Sequence, residues 1–270
     1  MKIAICFSTQ IRTGVHVANN IKNYIGELYE KCDFFAHFWD IDTISQNDLN
    51  SVSSNTEEYG KLINVPIKID KKVFSEFYSI YSPLSMTVDS YFNTKYESIP
   101  GGRRYSNNTK SDVIALFESV YECNKLKMDY EKKHNFKYDY VVRLRPDLVI
   151  HPEKSLNQDL IEFFKIFDDN VLLFAGHKNR PYHNRIEDIF WISKSEVMDK
   201  VSSFYEYESK LSYDKNDESC NWQSIMYDWV NGTLGVKSLR LENSVMCPYY
   251  ISDLKTSTDI MGTEIYGRQY

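Results

Sequence analysis

The chain has 270 residues, 42% of them hydrophobic, which suits one large domain with a sizeable core and excludes wholesale disorder. Its net charge of −6 argues against a broad nucleic-acid-binding face and leaves room only for a local basic pocket. Cys6, Cys32, Cys123, Cys220 and Cys247 are scattered, odd in number and without a CxxC pair, which points to reduced thiols in a cytoplasmic protein rather than to disulfides or a zinc site. The opening "MKIAICFSTQ" has too short an apolar run for a signal peptide, and no window approaches the ~18 apolar residues of a membrane span. The sequons at Asn107 and Asn231 are therefore expected to stay unmodified. Aromatic residues reach 15%, with 21 tyrosines, whose flat body and polar tip suit core edges as well as stacking on sugars and bases.

In chain order, "KIAICFS" predicts a buried first strand and "TQIRTG" a loop. Val17, Ile21, Ile25 and Leu28 recur at helical spacing, and "CDFFAHFWD" predicts a second strand closed by Trp39 and Asp40. A strand, helix, strand unit of this kind implies a parallel pair with a right-handed crossover. Ligands of open α/β sheets bind beyond the carboxyl ends of such strands, which places Ser8 to Thr13 and Asp40 on that edge. From Ile41 to Asn64 the chain is polar and reads as irregular. "KVFSEFYSIY" predicts a short helix. "IPGGRRYSNNTKSD" predicts a flexible basic loop that leads into a helix with Val113, Phe117 and Val120 on one face and Thr109 with Asp112 as a capping box.

The segment "YDYVVRLRPDLVI", Tyr138 to Ile150, reads as a buried strand, followed by a helix over "LNQDLIEFFKIF". "NVLLFAG" and "DIFWIS" predict two further strands, separated by the basic, His-containing "HKNRPYHNRIE". Ser193 and Glu196 have capping-box spacing ahead of a helix carrying Val197, Val201, Phe204 and Leu211. Trp222, Ile225, Met226 and Trp229 mark a last helix, ended at Asn231–Gly232, and "GVKSLRL" a final strand. The expected class is α/β, with parallel N-terminal βα units and a mixed, more helical C-terminal part. It reads as a single domain over 1–270, with 1–150 and 151–270 as its two halves.

Arg143, Arg145 and Asp147 stand at the end of the central strand. Pro146 cannot donate a ladder hydrogen bond, so regular pairing should stop near it and release Arg145 and Asp147 from the sheet. A guanidinium there can grip a phosphate bidentately, and a carboxylate can hold a divalent cation. The competing reading is an Arg–Asp ion pair that orders the turn. Alternation puts Arg143 on the same face as Arg145.

"ICFSTQIRTG", "CDFFAHFWD" and "YDYVVRLRPDL" together resemble a group of glycosyltransferase-like proteins of the glycosyltransferase-A fold, found in bacterial surface-polysaccharide loci and large DNA viruses. The resemblance covers Lys2 to Asp40 and Lys110 to Ser193. It implies a Rossmann-like domain that binds a nucleotide-sugar donor and passes its sugar to a glycan or glycolipid acceptor in glycan biosynthesis. Arg145-Pro146-Asp147 stands where that fold carries Asp-x-Asp, so only the second aspartate, Asp147, is matched as a ligand for Mn²⁺ or Mg²⁺, and Arg145 is left to supply charge without metal. The resemblance also implies donor contacts for Ser8, Thr9, Gln10, Arg12 and Asp40, beside Arg143, Arg145 and Asp147. It makes Asp188, and after it Glu187, the base that deprotonates the acceptor hydroxyl. For each of these carboxylates a plain ion pair with Arg180 or Arg185 is the alternative.

GxGxxG and GxxxxGK[ST] are both absent, which counts against dinucleotide and P-loop chemistry. His177 and His183 have no recognised metal spacing. Asp217 and Glu218 suit the start of a helix, where the dipole favours carboxylates. Trp222 reads as core, and Arg103 and Arg104 as solvated loop charges. The other functions weighed are a nucleotidyltransferase and a non-catalytic glycan-binding or assembly protein. No nucleic-acid partner is expected, and a homodimer rests on its general frequency alone.

Overall fold

The computed structural model describes residues 1–11, 14–45, 64–90, 110–150, 155–164, 168–175, 184–208, 222–241 and 246–248. The strand β1 (Ile3–Gln10) runs through α1 (Ala18–Ile25) and a 3₁₀ turn, Gly26–Lys31, to β2 (Cys32–Trp39). A hairpin of β3 (Ile41–Ser45) and β4 (Asn64–Lys68) precedes α2 (Lys71–Tyr81) and β5 (Ser85–Asp89). Then come α3 (Lys110–His134), β6 (Tyr140–Leu144), β7 (Leu148–Ile150), α4 (Leu156–Phe164), β8 (Val171–Ala175) and β9 (Phe190–Ser193). The described chain closes with α5 (Ser195–Ser202), α6 (Phe204–Glu208), α7 (Trp222–Asp228) with a π turn at Trp229–Thr233, β10 (Lys237–Arg240) and β11 (Met246–Pro248).

Seven strands form one sheet in the order β10-β8-β9-β6-β1-β2-β5. Every neighbouring pair is parallel except those of β9, which runs antiparallel to both β6 and β8. The protein is thus α/β, and β1, α1 and β2 form the parallel crossover unit read from the sequence. Alternation along the strands sorts side chains into two layers. Ile3, Ile5, Phe7, Val142 and Ile192 pack with Ile21, Phe77, Leu160 and their neighbours, so α1, α2 and α4 cover one face. Ala4, Cys6, Val141, Leu172 and Trp191 pack with Phe117, Val120, Val201, Phe204 and Met226, so α3, α5, α6 and α7 cover the other. Val17, Ile21, Ile25 and Leu28 are all buried, as their spacing requires.

Several expectations need correction. Thr9 and Gln10 belong to β1 rather than to a loop, because the ladder with β2 continues to Gln10 opposite Trp39. The stretch after Asp40 opens with a strand, Ile41–Ser45, that pairs with Asn64–Lys68. Ser85–Asp89 forms an unanticipated edge strand on β2. Pro146 splits the central segment into β6 and β7, and β7 leaves the main sheet to pair with β11, so "GVKSLRL" is not the last strand. Ser193 is not a helix cap. It is still laddered in β9 and donates its hydroxyl to the Lys194 carbonyl, while Lys194 sits at the cap without a side-chain capping bond. The expected helix through Phe204 breaks at Ser203 into α5 and α6. Thr109 and Leu211 lie outside the described residues.

A buried ionic cluster ties α3 to α5. The Lys127 ammonium, fully buried, donates to Ser195 Oγ and Asp199 Oδ1, both at 2.6 Å, and lies 3.1 Å from Glu131 Oε2. Glu131 Oε1 accepts from Ser195 and from the Tyr138 N–H at the entry to β6, and Lys137 bridges Glu131 and Asp199 from the surface. Burial pushes both carboxyls up, but the two ammonium groups and these hydrogen bonds outweigh it and hold Glu131 and Asp199 below the usual carboxylate range. Stability from this source is complete above the unfolded carboxyl values, around pH 4, and is lost as pH falls through the lowered native ones. Lys127→Met should cost about 3 kcal/mol at neutral pH by leaving buried carboxylates under-compensated. Urea unfolding should show that gap narrowing as pH falls through the carboxyl range; an equal gap at all pH values would contradict the ionic account.

Candidate functional site

The site is assembled where β1, β6 and the approach to β9 end side by side. In register, Cys6 faces Arg143 on one side and Trp191 faces it on the other. All three point to the α3 face, and Ser8, two residues beyond Cys6, shares that face.

Arg143 is 2% exposed. Its Nε donates to Ser8 Oγ at 2.9 Å, and its guanidinium lies over the Trp191 ring, 4.9 Å from the centroid. Both Nη atoms are buried without a hydrogen-bond partner among the described residues. Burial pushes the guanidinium down to about 10, against the field of Asp188, which favours the charge. The group therefore stays cationic at neutral pH. A buried charged donor left unsatisfied costs on the order of 1–3 kcal/mol or more, so the arrangement calls for an anion.

Beyond Leu144 the Arg145 N–H still bonds the Ile189 carbonyl at 3.1 Å, which carries the pairing past the strand end and brings the Asp188 turn alongside. Arg145 then donates twice to Asp147, at 3.0 and 2.7 Å. Asp147 is fully buried. Arg145 Nη1 lies 3.9 Å from Asp188 Oδ2, within ion-pair range but too far for a hydrogen bond, and Oδ2 is buried with no hydrogen-bond partner among the described residues. Glu187 is also buried, and its carbonyl takes the Trp191 indole N–H at 2.6 Å. One step earlier the Ile186 N–H bonds the Gln223 carbonyl, so α7 anchors this turn.

Backbone packing fixes these pieces relative to one another. Gly14 closes a turn on the Ile11 carbonyl at 2.7 Å, and a Cβ there would lie 2.8 Å from both that oxygen and Pro146 Cβ. The chain after β1 thus rests directly on the Arg-Pro-Asp turn. Asn20 of α1 grips Ile150 by both backbone groups, at 2.9 and 2.7 Å. Thr9 takes φ 102°, unusual for a residue with a side chain, while its N–H donates to the buried Ser119 Oγ at 2.7 Å.

Ser8, Arg143, Arg145, Asp147 and Asp188 are therefore brought together, with Glu187 adjoining through its backbone. Gln10 ends β1, and Asp40 follows β2, where its N–H bonds the Asp89 carbonyl and its carbonyl accepts from Ile69. Arg12 lies outside the described residues, as do Arg103 and Arg104, His177 and His183, and Asp217 and Glu218. Trp191, His37, Ser119 and Gly14 complete the arrangement without having stood out in the sequence. An arginine and a histidine inside otherwise apolar strands are the signals that could have prompted a search for partners.

The Asp147 carboxylate does not fit a divalent cation as arranged. Both of its oxygens are engaged by a guanidinium, and a second guanidinium stands one alternation away. Among the described residues no group of three or more His, Cys, Asp and Glu could hold a metal ion. The geometry is that of the ion pair that orders the turn.

No family model and no curated protein matches the chain. Solved structures with a similar α/β arrangement include a glycosyltransferase involved in glycosylation of the major capsid of PBCV-1, at 9% identity and TM-score 0.38, covering 89% of this chain and 81% of that one. A cytidylyltransferase from Leptospira borgpetersenii matches at 14% identity and TM-score 0.38, over 90% and 76%. Mouse xyloside xylosyltransferase 1 matches at 8% identity and TM-score 0.41, over 89% and 84%. At such scores the likeness carries no argument, and function has to be read from the side chains.

Gly14→Ala should cost about 1–3 kcal/mol, because the new methyl forces the Ile11 turn off Pro146. Chemical denaturation measures this directly, and a neutral substitution would show that the two turns are not in the close contact described.

Proposed function

We propose that the protein is a glycosyltransferase that moves a sugar from a nucleotide-sugar donor to a glycan or glycolipid acceptor without a metal ion. One observation carries the reading. Among the described residues, the two buried Nη atoms of Arg143 and the buried Asp188 oxygen in ion-pair range of Arg145 make no hydrogen bond. Donors without an acceptor on a cation call for an oxyanion, and a carboxylate oxygen without a donor calls for a hydroxyl. A sugar diphosphate with an incoming acceptor alcohol supplies both.

In this reading the diphosphate lies against Arg143 and the exposed side of Arg145, at the carboxyl edge of β1 and β6. Asp147 holds Arg145 in place. Asp188 accepts the proton of the acceptor hydroxyl as its oxygen bonds to the anomeric carbon. The bond from that carbon to the diphosphate oxygen breaks, and the electron pair leaves with the phosphate. Fixed guanidinium charge stabilises the developing oxyanion, the task that a divalent cation performs elsewhere. Ser8 keeps the Arg143 fork from turning away. Gln10, Arg12 and Asp40 are proposed to meet the nucleoside.

A thermal-shift panel of UDP-, GDP-, dTDP- and CMP-sugars tests the reading. One nucleotide family should raise the melting temperature, equally with Mn²⁺ and with chelator. A flat panel would favour a glycan-binding protein, and release of pyrophosphate during turnover a nucleotidyltransferase. Asp188→Asn should keep the donor-induced shift while kcat falls about 10²–10⁴-fold, the usual worth of a general base. Full activity in that variant would remove Asp188 from the chemistry.

A further inference from the structure

A polar chain crosses the apolar α3 face from the protein surface to β1. Asp89, whose side chain is 58% exposed on the edge strand, places Oδ2 3.1 Å from His37 Nε2. His37 is 1% exposed, and its Nδ1 lies 2.9 Å from Ser119 Oγ. Ser119 Oγ also lies 3.0 Å from the His37 carbonyl and accepts the Thr9 N–H at 2.7 Å. Thr9 is the residue with φ 102°, and Ser8, immediately before it, holds Arg143 Nε. Ser8 and His37 are paired in register across β1 and β2.

The geometry points to Asp89, His37 and Ser119 as a relay of positioning residues that sets how Arg143 is presented to the leaving diphosphate. The inference rests on the donor-site reading above and adds a control to it. A non-glycine residue at positive φ is costly and persists only where its surroundings over-determine it. Here the fixing bond is the one from the Thr9 N–H to Ser119. If it slackens, Thr9 relaxes towards ordinary strand geometry, Ser8 turns with it, and the Arg143 fork loses its anchor.

Proton counting gives the relay a direction. A hydroxyl has one proton and two acceptor sites. With its proton on the His37 carbonyl, Ser119 can accept from both Thr9 N–H and His37 Nδ1–H. The Nε2 contact with Asp89 is then a hydrogen bond only if Nε2 also carries a proton. All the bonds exist together in the imidazolium; the neutral ring gives up either the Asp89 bond or, when Ser119 turns its proton to Nδ1, the bond from Ser119 to the His37 carbonyl, so that Ser119 is seated less firmly beneath the Thr9 N–H. The charged groups around the ring are Asp89 from β5 and Glu118 and Glu122 from α3, all of which favour the cation, while burial is the larger influence and lowers the His37 value from its ordinary 6.5. The relay is therefore complete below that lowered value and loosens as pH rises through it.

Calorimetric titration with inorganic pyrophosphate between about pH 5 and pH 8 tests this in the full-length chain, across the range where histidine titrates. Comparing proteins at each pH cancels the ligand's own titration. Relative to His37→Gln, the unaltered protein should bind tighter by roughly three- to ten-fold on the acid side, the worth of one net hydrogen bond. Asp89→Asn, on the exposed end of the relay, should move that transition to lower pH by removing the charge that favours the imidazolium. A merely structural role would lower melting temperatures and leave the pH profile unmoved. Pyrophosphate binding in Asp89→Asn with the affinity and pH profile of the unaltered protein would overturn the relay and leave the donor site standing. No binding by the unaltered protein at any pH would overturn both.

Discussion

A charged arginine in the next-to-last position of a central strand must be supported from all sides. Arg143 has a hydroxyl at Nε, an indole beneath its plane, and thiol and aliphatic neighbours on its own face. Among the described residues neither Nη has a hydrogen-bond partner. Apolar walls magnify both the penalty of leaving this guanidinium isolated and the gain from pairing it, since the local dielectric is low. The rest of the site follows from keeping that guanidinium in place.

Strand order does most of the placing. Setting β6 between β1 and β9 puts Ser8 and Trp191 on either flank of Arg143. Because β9 alone runs antiparallel, its start rather than its end reaches the carboxyl edge of β6. This is how Asp188, just before β9, arrives beside Arg145. Pro146 then ends the ladder, and Asp147 turns inward to clamp Arg145. Gly14 lets the chain after β1 close over the turn.

Local pattern made much of this legible. The β1–α1–β2 unit follows from period-two and helical spacing, and the break at Pro146 from its missing N–H. Arg143 and Arg145 could be named because charged groups at a strand end stand out, and Ser8 because it falls on the carboxyl edge of β1, whereas Asp188 was named from the family resemblance alone. Direction is another matter: alternation is the same read either way, so nothing in "DIFWIS" distinguishes an antiparallel strand from a parallel one. Ser85–Asp89 stayed hidden because an edge strand with half-exposed residues has little hydrophobic signal. The capping box at Ser193 failed because spacing cannot show that a serine is still held in a ladder. Ser119, His37 and Trp191 owe their roles to contacts across the sheet, which no short motif records.

The central claim is that the two Nη atoms of Arg143 await a diphosphate. A crystal structure with a nucleoside diphosphate bound tests it most directly. The account predicts phosphate oxygens within hydrogen-bond distance of both Nη atoms, with Asp147 still paired to Arg145 and no cation between them. A diphosphate seated elsewhere, with Arg143 unchanged and unpaired, would contradict it.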